Sequence, residues 1–231
     1  MSFEVTSTGN AGVKAVSPHA CVFIDSFFHG VPSVGTSPSV SPESVTHADL
    51  LLVTHAHHDH FKPAAIVDVA SRTKAVVVGP ERITTCLRGK LPGPQLVEME
   101  PAESDCGPAR SVSITLPSAK ITAFRTFHSE GHNSYLVETP DFRLFHDGDN
   151  EDTRRLDVDA IGRIDALFLC PWQGSGCSGF IRRLSPRYWF LIHMTDGELD
   201  EHEAGTFLPS LCEDVPPNVV ALRPGQSFRI K

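Results

Sequence analysis

No Cys-x-x-Cys pair occurs in this chain of 231 residues, although it holds six cysteines: Cys21, Cys86, Cys106, Cys170, Cys177 and Cys212. A zinc ribbon or a thioredoxin-type redox site needs such a pair, so neither is indicated. Cys21 and Cys170 lie in apolar runs, where a free thiol behaves as a small hydrophobe. Basic residues are also in deficit, since 20 Lys and Arg stand against 28 Asp and Glu for a formal net charge of −8. A grip on phosphate backbones draws on clustered Lys and Arg that release counterions, so nucleic acid is disfavoured and a small-molecule substrate is expected. No stretch approaches the ~18 apolar residues of a bilayer span, and Met1 to Asn10 has no basic patch followed by an apolar run. Membrane insertion and secretion therefore lack support, and a cytoplasmic location is the expectation. No internal repeat or low-complexity tract stands out.

What is there has the balance of an ordinary globular protein, with 40% hydrophobic and 21% charged residues. A single compact unit over residues 1–231 is expected. Ala20 to Asp25 reads as a buried strand ending in an acid, and Val31 to Pro42, rich in Ser, Pro, Val and Gly, as a surface loop. Leu50 to Val53 is a strand running into a histidine cluster, with a helix over Pro63 to Ala70 beyond it. Ala75 to Val78 is a strand, Pro80 to Leu87 a helix with proline near its start, and Gln95 to Met99 a further strand. Val112 to Leu116, Lys120 to Phe127, Ser134 to Glu138 and Phe142 to Phe145 follow as an antiparallel meander. Ala166 to Leu169, a helix near Gly179 to Leu184, and Tyr188 to Ile192 restore the alternating order. Both halves thus pair a sheet with covering helices, which predicts a layered α/β sandwich rather than a barrel.

The chemistry concentrates in Thr54-His55-Ala56-His57-His58-Asp59-His60, at the end of a predicted strand. In extended backbone, side chains alternate with a period of two, so His55 and His57 project to one side and can share one ion. Where the chain turns toward the next helix, Asp59 and His60 rotate away and can reach a second ion. Neutral imidazole and carboxylate suit borderline divalent metals such as zinc, and hydrolytic ion pairs sit roughly 3.5–4 Å apart. A solvated His-rich loop is the bland alternative, and the interleaved acid at a strand end argues against it. His58 lies on the opposite side of the loop and is expected to be exposed or to support a ligand.

This run resembles the metallo-β-lactamase superfamily, whose hallmark is Thr-His-x-His-x-Asp-His after a strand. The resemblance implies a four-layer αββα sandwich with a binuclear site in the groove between the sheet edges. It also implies the remaining ligands. Phe127-His128-Ser129-Glu130-Gly131 supplies His128 to join His55 and His57. His146-Asp147-Gly148-Asp149 supplies Asp149 as the bridging carboxylate, with Asp147 as its competitor. Tyr188 to His193 supplies His193 to join Asp59 and His60. Asp25, at a strand end, is placed to orient His55 or His57. His132 is placed to line the groove or to hydrogen-bond a ligand carboxylate, with an ordinary surface turn as the alternative. Trp172, with Gln173, is placed to contact substrate. His19, His29, His47, His146 and His202 receive no role.

The implied activity is that of a metal-dependent hydrolase: a hydroxide between two divalent metals, zinc first and manganese or iron as alternatives, attacks an ester, lactone or phosphodiester. Asp59 is the expected catalytic proton shuttle. Within the superfamily the chain looks closest to the ascorbate-phosphate lactonase and N-acyl phosphatidylethanolamine phospholipase D types. Two rivals stand beside this reading: an iron enzyme of oxygen or sulfur redox chemistry, and a non-catalytic metal-binding module. In di-iron members with redox chemistry the second motif histidine is typically a glutamate, whereas His57 is present here.

Overall fold

The computed structural model describes residues 2–26, 40–104, 107–128, 131–170, 174–211 and 215–231. Its strands form two seven-stranded sheets. The first holds β1 (Phe3–Gly9), β2 (Gly12–Val16), β3 (Cys21–Ile24), β4 (Leu50–Leu52), β5 (Val76–Gly79) and β6 (Leu96–Glu98) side by side, with β14 (Ser227–Ile230) outside β1. The second holds β7 (Ser111–Thr115), β8 (Lys120–Arg125), β9 (Asn133–Glu138), β10 (Arg143–His146), β11 (Ala166–Leu169), β12 (Tyr188–Leu191) and β13 (Val219–Ala221). Each sheet starts antiparallel and ends parallel: β3 to β6 run parallel in one, β10 to β13 in the other. Parallel neighbours require crossover connections, which here carry the helices.

Alternation along the strands sorts the side chains into layers. Val22, Ile24, Leu50 and Leu52 face a central core shared with Ile121, Tyr135, Leu144, Phe168 and Phe190 of the second sheet. Their neighbours Phe23, Leu51 and Val53 point outward, where α1 (Pro63–Thr73) and α2 (Glu81–Leu87) bury Ile66, Val69, Ile83 and Leu87 against them. On the far side, Phe145, Leu167 and Trp189 meet Phe180, Ile181 and Leu184 of α4 (Cys177–Leu184) and Leu199 of α5 (Asp196–Glu203). Ile161 of α3 (Val158–Ile161) and Phe207 of α6 (Phe207–Leu211) join that outer layer. The result is the αββα sandwich expected from the sequence, with the central strands of each sheet buried on both faces. Each fully buried aliphatic side chain contributes on the order of 1.5–3 kcal/mol.

Several elements go beyond the sequence reading: the β1–β2 hairpin, β13, β14 and the short helices α3, α5 and α6. β14 closes on β1 with Phe3 opposite Ile230, a pairing across nearly the whole chain. β8 stops at Arg125 instead of continuing to Phe127. Thr126 turns away, its N–H donating to the His132 carbonyl at 3.2 Å, and sends the following residues out of the sheet. Of the expected loop over Val31 to Pro42, residues 31–39 lie outside the described residues, and Pro42 opens a 3-10 turn ending at Ser44. Cys21 and Cys170 are buried, and burial pushes the Cys21 thiol up to about 11. Among the described residues, no helix is long and apolar enough to cross a membrane.

Candidate metal centre

The site lies beyond the carboxyl ends of the strands, where parallel α/β sheets gather their loops. β4 ends at Leu52, and its carbonyl takes the Asp25 N–H at 3.0 Å. The chain leaves extended through Val53, Thr54 and His55, then tightens, as the N–H groups of His60 and Phe61 both donate to the His57 carbonyl at 3.0 and 2.9 Å. That turn splits the motif. His55 and His57 gather with His128, and Asp59 and His60 gather with His193, each trio offering ligand atoms within 4.8 Å of one another.

Asp149 lies between the trios. Its Oδ2 is 3.2 Å from His60 Nε2, 3.5 Å from His193 Nε2, 3.9 Å from His128 Nε2 and 4.0 Å from His55 Nε2. Asp147, the competitor, is turned away into the second sheet. Ser134 Oγ donates to its Oδ1 at 3.0 Å and Asn150 Nδ2 at 3.2 Å, and burial, only partly offset by these bonds, pushes its carboxyl up to about 7. The structure therefore selects Asp149 over Asp147 as the carboxylate facing the imidazoles.

Hydrogen bonds behind the imidazoles fix which nitrogen faces inward. Asp25 accepts the Thr54 N–H at 2.8 Å on Oδ1, and on Oδ2 both the Thr54 hydroxyl at 2.6 Å and His60 Nδ1–H at 2.8 Å. With its hydrogen committed to Asp25, the Thr54 hydroxyl accepts from His55 Nδ1 at 2.9 Å. Asp25 thus orients His60 directly and His55 only through Thr54. The expectation named His55 or His57; the structure brings Asp25 to His55 only indirectly and adds His60, which the sequence did not indicate. The Asp25 backbone is left-handed at φ 46°, a conformation Asp tolerates better than most residues. On the other side, Glu151 Oε1 accepts from His128 Nδ1 at 2.9 Å, a partner that no local sequence signal announces.

His132 also departs from expectation. It is fully buried rather than in the groove, and it meets the main chain of Asp149 rather than a carboxylate. The Asp149 N–H donates to His132 Nε2 at 3.1 Å, while Nδ1 donates to Thr126 Oγ1 at 2.7 Å. Burial holds this imidazole neutral, with its pKa pushed down to about 3. His146, to which the sequence assigned no role, is likewise buried, donating from Nε2 to the Ala11 carbonyl at 2.9 Å and accepting the Gly148 N–H at 3.2 Å. His58 is exposed. Trp172 and Gln173 lie outside the described residues.

The electrostatics are those of a cage built for a cation. Burial opposes charge on His60, but Asp149 and Asp25 on its two nitrogens outweigh burial and hold its pKa well above the ordinary range. Burial likewise pushes Asp149 up, yet the charge of His60, and then that of His193 and His55, holds it well below the carboxylate range. Asp59 behaves in the same way, with His193 and His60 overriding burial. His55 is pushed far down, by burial first and then by His60 and His132. Its Nε2 and that of His60 are buried with no hydrogen-bond partner, as is Asp149 Oδ1. Buried polar atoms are rarely left so, and a metal ion is a partner that satisfies all of them together.

Comparison with known proteins gives the family. Residues 22–174 match the family model described as the beta-lactamase superfamily domain. A UPF0173 metal-dependent hydrolase of Pyrococcus furiosus is 25% identical over 98% of this chain and 99% of its own length. Among solved structures, Igni18, a metallo hydrolase of Ignicoccus hospitalis, aligns with a TM-score of 0.70 over 100% of this chain and 99% of its own, at 16% identity. The diiron beta-hydroxylase CmlA of Streptomyces venezuelae shares the fold at TM-score 0.67 and 14% identity, over 99% of this chain and 54% of its own. With the matched segment running through the whole of the His55–His60 motif, this chain belongs to the metallo-β-lactamase superfamily.

Proposed function

We propose that the protein is a metal-dependent hydrolase whose centre holds two divalent cations, one among His55, His57 and His128 and one among Asp59, His60 and His193, with Asp149 between them. The observation that carries this reading is the convergence of the unpartnered His55 Nε2 and His60 Nε2, with His128 and His193, on one oxygen of Asp149. Imidazole with carboxylate is the donor set that zinc favours, and manganese or iron is accommodated by the same atoms.

Bound there, such a pair acidifies a water toward neutrality and polarises the scissile oxygen of an ester, lactone or phosphodiester. The chain's own groups do the rest. Asp25, Thr54 and Glu151 keep the Nδ1 protons of His60, His55 and His128 on the outer side, so the inner nitrogens stay free to ligate. Of the two carboxylates at the centre, the side chain of Asp59 is 17% exposed and that of Asp149 3%. Asp59 is therefore the acid that substrate and solvent reach, and it is the group placed to pass a proton to the leaving group.

Loading metal-free protein with zinc or manganese tests the reading. The expected result is turnover of bis(para-nitrophenyl) phosphate or of a lactone, abolished by chelation and lowered at least about 100-fold in Asp59→Asn, the scale of a lost proton-transfer group. A fully metallated protein inert on both substrate classes overturns the hydrolase reading. Protein purified without added metal that carries iron and consumes dioxygen points to the redox chemistry of the fold instead.

A further inference from the structure

The β1–β2 turn, far from the metal motif in sequence, reaches into the centre. Gly9-Asn10-Ala11-Gly12 closes the hairpin, and Asn10 takes a left-handed backbone at φ 51°, where Asn is among the better tolerated residues. Gly12 permits the close approach, since a side chain there would collide with Thr8 Oγ1 at 2.2 Å and the Gly9 carbonyl at 2.8 Å. Asn10 is 7% exposed and makes three contacts with residues of the centre. Its Nδ2 faces Asp59 Oδ2 at 3.3 Å and the Asp59 carbonyl at 3.4 Å. Its own carbonyl accepts the His193 N–H at 3.0 Å. Both partners of Nδ2 can only accept, so the amide has one orientation.

Resting on the two-ion reading above, we propose that Asn10 is a positioning residue for the cage of Asp59, His60 and His193. Asp59 follows β4 of the first sheet and His193 follows β12 of the second, so the two ligands arrive from opposite halves of the sandwich. Asn10 ties them together: its amide holds the carboxylate of one, and its carbonyl holds the main chain of the other. His193 itself has φ 61°, an uncommon backbone for a residue other than glycine, and the Asn10 carbonyl is what its N–H meets there. The amide also bonds the same Asp59 oxygen that His193 Nε2 faces at 3.3 Å and His60 Nε2 at 3.6 Å. That bond sets the carboxylate's rotation without contributing a ligand. The cage of His55, His57 and His128 has no contact with Asn10 among these bonds, so the effect falls on one ion of the pair.

Asn10→Gly separates this role from that of a turn former, because glycine adopts φ 51° freely and keeps the carbonyl that holds His193, while the amide is lost. The experiment is calorimetric titration of metal-free wild type and variant with zinc chloride, together with the melting temperature of each metal-free protein and the visible spectrum of each cobalt-loaded protein. The expected result is a wild type that binds two zinc ions and a variant in which one of them binds about 10–100-fold more weakly, the scale for removing a group that orients a metal ligand. The other ion's affinity, half of the cobalt spectrum and the metal-free melting temperature remain as in wild type. A variant that binds both ions as wild type does overturns the inference and leaves the two-ion reading standing. Equal weakening of both ions with a lowered metal-free melting temperature also overturns it, since that marks a structural turn. A wild type that takes up a single ion overturns the two-ion reading and this inference with it.

Discussion

Asp25 holds three hydrogen atoms in place, and one of them decides how His60 presents itself. In Asp25→Asn the side chain keeps its size and tolerates the same left-handed backbone, but an amide N–H2 facing His60 Nδ1 forces the ring to accept there and to carry its proton on Nε2. The inner nitrogen then cannot ligate. We expect Asp25→Asn to weaken metal binding by about 10–100-fold with little change in the fold's circular dichroism, measured by zinc titration. Gly148 is a second decisive position. Its φ is 64°, and a Cβ there would lie 2.7 Å from His132 Nε2 and 3.2 Å from Thr54 Cβ, in the loop that carries Asp149. Because those neighbours are buried and already bonded to each other's surroundings, Gly148→Ala should cost on the order of 1–3 kcal/mol and reduce metal content, read by chemical denaturation and elemental analysis. His55, His57, Asp59 and His60 were legible as chemistry because they crowd one strand end. Asp25, Glu151 and Asn10 were not, or only by position, because what they do is set by partners 35, 23 and 49 residues away.

At the scale of elements, the two sheets are held in register beside the site by polar bonds as well as by the apolar core. Tyr135 on β9 donates its hydroxyl to the Val53 carbonyl at 2.9 Å, and the Asn133 N–H donates to the Thr54 carbonyl at 3.0 Å. These bonds fix the start of the histidine motif against the second sheet. Tyr135 is fully buried, and its hydroxyl also accepts from Asn133 Nδ2 at 3.4 Å, so Tyr135→Phe removes two buried bonds at nearly constant volume and should cost about 0.5–1.5 kcal/mol for each in a urea unfolding experiment. Of the strands legible in the sequence, Cys21–Ile24, Leu50–Leu52 and Ala166–Leu169 are continuously apolar runs buried in the sandwich, whereas β6 and β7 were legible although half-buried or exposed. β1 and β14 went unread although they alternate polar with apolar residues as half-buried strands do, and they owe their place to each other across the chain. α5 is similar: its burial rests on Leu199 alone, and its start is fixed by a capping box of Thr195 and Glu198.

For the whole molecule, metal and fold should be thermodynamically linked, because the proposed ligands come from loops of both sheets and are together only in the folded chain. A cation that binds the native state alone adds about 4 kcal/mol per site at free concentrations of 1,000 times its Kd. Chelation should therefore lower the melting temperature by several degrees, and adding back zinc should restore it. A melting curve indifferent to chelator would mean that no resident ion is bound across this centre. The sequence by itself determined the layered α/β class, the strand that delivers the motif and the division of that motif into two pairs, since periodicity, a strand end and a turn are local properties. It also placed the later candidate ligands in order once the motif was matched to a family. Only the tertiary structure decided that Asp149 rather than Asp147 faces the imidazoles, that Asp25 serves His60, that His132 holds a main-chain N–H, and that the N-terminal hairpin reaches Asp59. Each of those rests on which polar group meets which between segments distant in the chain, pairings that local sequence does not encode.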